Sequence, residues 1–295
     1  QAVYTGGTVS NIQQADLSQD NDMHQGVVAV TPDGNTMFLT RWSVKNEKKE
    51  SAIYVTRRNG DKWSNPDRVS NLNVEGSNTQ QPYITPDGKY LFFSSNRSGG
   101  QGGYDLYYAP LENGNPGNPV NFGATVNTSH DEQAPFYHDA SKSLIFSTNG
   151  RVGMGGFDFF QSKGSIGTWA EPVNLGYPVN SVKDDIYITS RGTAKNILED
   201  VILSSDREAA CCLELFSLKK VRPLRQLSGR VTSCDPSKPL TGATVTVVDP
   251  VTNKTIYTKT VGADGSYSFT MEDHQPVKVK AEATGFLKNE KDMSV

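Results

Sequence analysis

One stretch of sequence recurs four times at intervals of about fifty residues, and that repeat constrains the fold more than anything else in the chain. Thr31-Pro32-Asp33-Gly34 returns as Thr85-Pro86-Asp87-Gly88, more weakly as His138-Asp139-Ala140, and in decayed form at Arg191-Gly192. A short apolar run follows each anchor: Met37 to Thr40, Tyr90 to Ser95, Leu144 to Thr148 and Val201 to Ser205. A turn segment then leads to a second run, clearest in Gly99-Gly100-Gln101-Gly102-Gly103-Tyr104-Asp105-Leu106-Tyr107 and in Gly155-Gly156-Phe157-Asp158-Phe159-Phe160. The equivalent runs are Ala52 to Val55 in the first copy and Leu213 to Phe216 in the fourth. Outer strands are expected at Trp63 to Leu72, Pro119 to Val126 and Trp169 to Val179.

Strand signals alternating with turn chemistry at a fixed period describe the blades of a β-propeller. Pro presets φ, Asp bonds its own backbone, and Gly takes the positive φ that turns the chain back, so Asp33, Gly34, Asp87 and Gly88 read as structural repeat residues. Asp105 and Asp158 also recur at one repeat position, where a carboxylate can accept bonds from the backbone of the adjoining Gly-rich turn. Four blades are counted; a fifth would need a blade that the sequence does not display. The fourth copy lacks an outer strand, and Ala2 to Ile12 is expected to supply it and close the ring.

After a boundary at Val221 to Gln226 the pattern changes. Leu227-Ser228-Gly229-Arg230-Val231, Gly242-Ala243-Thr244-Val245-Thr246-Val247, Asp264-Gly265-Ser266-Tyr267-Ser268-Phe269 and Val277-Lys278-Val279-Lys280 alternate as strands of a small sandwich. The expected organisation is thus all-β: a small propeller over residues 1–222 and a transthyretin-like β-sandwich over 227–295.

Apolar residues make up 35% of 295 and charged residues 21%, which suits many short strands and excludes a charge-driven disordered chain. The net charge of −3, without a Lys/Arg stripe, leaves no footprint for nucleic acid. No apolar run is long enough to cross a bilayer as a helix. Gln1 is neither a start Met nor part of a signal peptide, so the sequence reads as a piece of a longer chain. Cys211, Cys212 and Cys234 lack zinc spacing; three reduced thiols, a Cys211–Cys212 bridge and a bridge to Cys234 all stay open.

Pro-Asp-Gly, an apolar strand ending Ser94-Ser95-Asn96-Arg97, and Gly102-Gly103-Tyr104-Asp105-Leu106-Tyr107 together resemble the TolB-type propeller repeat. Copies two and three carry that motif; Ala52 replaces the Asp in copy one, and Cys211-Cys212 replaces the Gly pair in copy four. Pro239-Leu240-Thr241-Gly242-Ala243-Thr244-Val245 and Asp264-Gly265-Ser266-Tyr267 resemble the carboxypeptidase regulatory-like domain. The two in succession resemble the middle of the OmpA-family outer-membrane lipoproteins of Bacteroidota. That resemblance implies a periplasmic, outer-membrane-associated scaffold whose partners are proteins of a cell-envelope complex, such as the type IX secretion apparatus. It implies contact with peptidoglycan only through a C-terminal domain outside this sequence.

Catalytic chemistry finds little support. There is no Gly-x-Ser-x-Gly nucleophile elbow, and the Gly99–Gly103 run is followed by neither a Lys-Ser/Thr pair nor a helix, so it is no phosphate loop. Thr56 to Trp63 has the spacing of a sialidase Asp-box but places Arg58 at the Asp. Asp131, Glu132, Asp184 and Asp185 are the acidic cluster at matching blade positions, candidates for a channel or ion site or simply solvated loop residues. His24 and His130 lie at matching distances before their anchors and suit a channel mouth. Arg97 and Arg151 follow the apolar strand in two blades, placed to pair with carboxylates or to brace the blade. No cofactor, metal or catalytic residue is expected. Partner specificity is expected in the loops that differ between copies: 45–50, 99–103, 152–155 and 193–199.

Overall fold

The computed structural model describes residues 3–5, 8–13, 17, 23–190, 196–220, 224–271 and 276–293. The chain divides into two compact units, 1–220 and 221–295. The first opens with strands β1 (Val3–Thr5) and β2 (Thr8–Ser10), then four antiparallel sheets in succession. Blade 1 comprises β3 (His24–Val30), β4 (Thr36–Lys45), β5 (Lys48–Asn59), β6 (Lys62–Trp63) and β7 (Asp67–Arg68). Blade 2 comprises β8 (Thr79–Ile84), β9 (Tyr90–Ser95), β10 (Asp105–Glu112), β11 (Asn115–Pro116) and β12 (Val120–Asn121). Blade 3 comprises β13 (Glu132–His138), β14 (Ser143–Thr148), β15 (Asp158–Ser165), β16 (Thr168–Trp169) and β17 (Val173–Asn174). Blade 4 has three strands, β18 (Asp185–Ser190), β19 (Val201–Ser205) and β20 (Glu214–Leu218).

The anchors make the expected turns. Asp33 accepts from the Thr31 hydroxyl at 2.5 Å and the Asn35 amide at 3.1 Å, and Gly34 follows at φ +73°. Asp87 repeats this with Thr85 at 2.6 Å and Lys89 at 3.1 Å, and Gly88 lies at +71°. In copy three the chain makes a short 3-10 turn, Asp139–Ser141, and Lys142 takes the left-handed position at +48°.

In blades 2 and 3 the strand after the anchor is buried on both faces, because a blade packs on either side of it, whereas β19 of blade 4 alternates between buried and half-buried. Phe38, Ile53, Leu91, Phe93 and Tyr107 fill the layer between blades 1 and 2. Phe92, Leu106, Phe122, Leu144 and Phe146 fill the next. Ile145, Phe159, Ile188, Val201 and Leu203 fill the third. Each fully buried Phe contributes about 2–3 kcal/mol of hydrophobic stabilisation, so these wedges are what hold the blades together.

The strands nearest the axis precede the anchors: β3, β8, β13 and β18 line one central cavity. Two expectations are corrected. The outer strands are not continuous; each blade from 1 to 3 ends in two ladders of two residues, such as β16 and β17 against β15. The segment expected to close blade 4 pairs with itself, Val3 with Ser10 and Thr5 with Thr8. Among the described residues β20 has β19 as its ladder partner and no other. Two triplets this close in sequence pair locally at less loop-closure entropy than a ring-spanning pairing would cost.

The second unit is a sandwich. A two-stranded sheet of β21 (Arg225–Arg230) and β24 (Ser266–Met271) belongs with a four-stranded sheet in the order β23 (Thr255–Thr260), β22 (Thr244–Val248), β25 (Val277–Glu282), β26 (Asn289–Met293). The alternation in Thr244-Val245-Thr246-Val247 sends both valines into a core shared with Leu227, Phe269, Val277 and Val279. Among the described residues no helix is long and apolar enough to cross a membrane, which says nothing of β-barrels.

Candidate functional site

The repeat polar residues are used on the frame. Asp105 accepts from the amides of Gln101 at 2.6 Å and Gly102 at 3.2 Å, and Asp158 does the same for Met154 and Gly155. Asp131 accepts from the Tyr104 amide at 2.7 Å and Asp184 from the Phe157 amide at 2.9 Å, each latching its blade to the one before. Asn78 performs that role toward the Ser51 amide at 2.7 Å. A Cβ at Gly103 would fall on the Asp131 carboxylate and one at Gly156 on that of Asp184, which is why the turns carry glycine there.

Glu132 and Asp185 are fully buried. Glu132 accepts from the Thr128 amide and from the hydroxyls of Thr128 and Thr148, at 2.6–2.8 Å. Burial pushes its carboxyl above the usual range, against those hydrogen bonds. Asp185 accepts from the Ser181 amide and pairs with Arg207, both at 2.6 Å. None of Asp131, Glu132, Asp184 and Asp185 lines the central cavity. Among the described residues no group of three or more His, Cys, Asp or Glu side chains converges as a metal site.

The arginines after the second strands brace carbonyls of the preceding blade's loop. Arg97 donates to Leu72 at 2.6 Å, Arg151 to Thr125 at 2.7 Å and Arg207 to Val179 at 2.6 Å. His24 stacks on Trp42 at 5.5 Å, whereas His130 is exposed beside Ser129, and the ladders do not give the two equivalent places.

Two concave regions remain. The first is the central cavity, about 390 Å³, lined by all four axial strands. Each of those strands is bulged in its ladder, and a left-handed residue sits at the bulge: Val27, Gln81, Ala134 and Tyr187, at φ +46° to +62°. Such bulges re-aim side chains at the cost of local strain. Gln81 uses its bulge to contact every blade. Its amide nitrogen bonds Thr40 of blade 1 at 2.9 Å, and its side-chain oxygen accepts from Ser94 of its own blade and the Ala134 amide of blade 3, both at 2.9 Å. Its side-chain nitrogen donates to Gln133 and to the Tyr187 hydroxyl of blade 4, both at 3.0 Å. Burial pushes the Tyr187 phenol up, so it stays protonated. This hub was missed in the sequence, although Gln80-Gln81-Pro82-Tyr83 and Gln133-Ala134-Pro135-Phe136 carry the signal.

The second region is a cleft of about 1230 Å³ on blade 1, where the long β4–β5 hairpin and residues 75–78 form the walls. Arg41 lines it and is only 5% exposed, with its Nε and Nη2 enclosed and without hydrogen-bond partners. Its guanidinium lies 5.2 Å from the centre of the Tyr54 ring. The same ladder position in the other blades holds Ser95, Thr148 and Ser205, whose hydroxyls are all engaged. Lys48, Lys49 and Arg68 add positive charge to the cleft, and Glu50 and Glu75 negative charge. Burial pushes the Lys49 amine down; it donates to Gln80 at 3.3 Å. Chemically the cleft suits a single anionic group in a partly desolvated setting.

Residues 226–295 match the carboxypeptidase regulatory-like domain family. No curated protein matches the sequence. Among solved structures the chain is similar to TolB from Acinetobacter baumannii, at 14% identity and a TM-score of 0.36, with 88% of this chain and 52% of that one covered. It is also similar to an endo-arabinase from Bacteroides thetaiotaomicron, at 14% identity and a TM-score of 0.41, covering 63% and 71% of the respective chains. A puromycin-hydrolyzing peptidase from Mycobacterium tuberculosis gives 12% identity and a TM-score of 0.42, covering 77% and 34%. This chain thus spans about half the length of the TolB it resembles.

Proposed function

We propose that the chain is a non-enzymatic scaffold of the cell envelope whose propeller holds protein partners, one of which places an acidic side chain against Arg41. The observation that carries this reading is the departure of blade 1 from the repeat. Where the frame needs a small hydroxyl, blade 1 buries a guanidinium whose Nε and Nη2 have no partner, beside the charged loop 45–50. A buried charge without a partner costs stability, and a ligand carboxylate would recover that cost on binding. The carboxylates that might have served as acid and base are meanwhile engaged by backbone amides, hydroxyls and Arg207. The resemblance in domain order supports a periplasmic, outer-membrane-associated place and a PorE-like role in type IX secretion, with peptidoglycan reached through a further domain.

The test is capture of envelope-complex proteins from detergent-solubilised membranes by the wild type and by Arg41→Met. Arg41→Met should melt no lower than the wild type, since an apolar isostere relieves a buried unpaired charge. Capture should fall by on the order of tenfold, as expected for loss of one buried charge-assisted contact. Undiminished capture by the variant would overturn the site, and glycan binding or hydrolysis by the wild type would overturn the scaffold reading.

A further inference from the structure

The turn joining β19 to β20 breaks the frame at two adjacent positions. In blades 2 and 3 the second glycine of the pair is kept bare by the Asp latch of the following blade. Blade 4 has Cys211-Cys212 at that register, and both are exposed. Freed from the latch, the position tolerates side chains. Their sulfurs face one another 2.7 Å apart, within hydrogen-bonding reach.

We propose that Cys211 and Cys212 form a thiol–disulfide exchange site that takes small-molecule disulfides as oxidant and closes into a bridge between neighbouring residues. The Cys211 thiolate attacks one sulfur of R–S–S–R, forming a mixed disulfide and expelling one thiolate, which is protonated to R–SH. The Cys212 thiol then loses its proton and attacks the Cys211 sulfur, expelling the second R–S⁻, which takes up a proton in turn. Two protein thiols have lost two protons and two electrons, and one disulfide has become two thiols.

Two arguments favour exchange over a permanent staple. Adjacent Cα atoms are about 3.8 Å apart, well inside the roughly 4.4–6.8 Å of relaxed disulfides, so the bridge is strained and easily reduced. The site is also exposed, so a second thiol can reach it. The order of attack follows from the local charges. Hydrogen bonding to the Cys211 sulfur and that sulfur's charge, with a smaller contribution from Glu214, push the Cys212 thiol up, so Cys212 keeps its proton longer.

The full chain, incubated with oxidised glutathione and then alkylated under denaturing conditions, should lose the mass of two hydrogen atoms and leave Cys234 as the reactive thiol. Alkylation at Cys211 and Cys212 should drop on the order of tenfold or more and return with dithiothreitol. Cys212→Ser should instead retain one glutathione on Cys211, and Cys234→Ser should close the bridge like the wild type. Stable glutathione adducts on both adjacent cysteines, a link from either to Cys234, or three thiols still alkylated would each overturn the proposal. The outcome is independent of whether a protein partner docks on blade 1.

Discussion

Gln81 ties the propeller together at one bulged residue, which bonds groups from all four blades. Gln81→Ala would strand the Ala134 amide and the Ser94 hydroxyl in a dry setting. The expected loss is on the order of 3 kcal/mol, read as a lower urea midpoint at an unchanged slope. A second residue-scale expectation concerns Glu132, whose carboxyl is raised in the folded state by burial. A raised acid binds its proton more tightly when folded, so its contribution is fully present below the unfolded value, about 4.5, and is lost as pH rises through the folded one. The stability of the wild type relative to Glu132→Gln should therefore decline across that window and then level off. Thermal melts of both proteins from pH 4 to 8 would show this, and a difference that grew with pH would reverse the assignment. Residue roles were legible where the repeat marks them, as at Asp33, Asp87, Asp105 and Asp158. They were illegible where the role depends on which blade face a residue meets. Asp131 and Asp184 read as channel or solvated loop carboxylates because spacing alone does not show that they turn toward the preceding blade.

At the scale of elements, the buried strands could be read directly: a run such as Leu91-Phe92-Phe93 has no polar face to give to water. The outer strands could not, because the segments 63–72 and 169–179 alternate well enough for a strand but break into two-residue ladders. Asn73, Asn127 and Asn180 explain the break. Each folds its amide back onto the third strand, at Ile53, Leu106 and Phe159 respectively, and supplies bonds that a continuous outer strand would have made. Closure was misread for a different reason: alternation shows that a triplet is a strand but not which strand it joins. Since β1 and β2 pair with one another, removing residues 1–12 should leave the midpoint of the propeller transition within about 2 °C of the full chain. A drop of several degrees would mean that the hairpin contributes to the ring.

For the whole molecule, the division after Lys220 follows from two separate apolar stores. The propeller unit layers its aromatics between blades, while the sandwich keeps Leu227, Val245, Val247, Phe269, Met271 and Val279 in a core of its own. Charge divides in the same way. Residues 227–295 contain eight Lys and Arg against eight Asp and Glu, so the net −3 belongs to the rest of the chain. A unit of this size with a single core is marginal but self-sufficient when its strands are fully paired, and β21 to β26 all have partners. Residues 226–295 expressed alone should therefore fold, giving dispersed amide resonances and a cooperative melt. Residues 1–220 should melt where the first transition of the full chain melts. The alternative predicts something different: if either unit needed the other's surface, the isolated sandwich would give collapsed resonances, and cutting the chain near Gln226 would lower both transitions together.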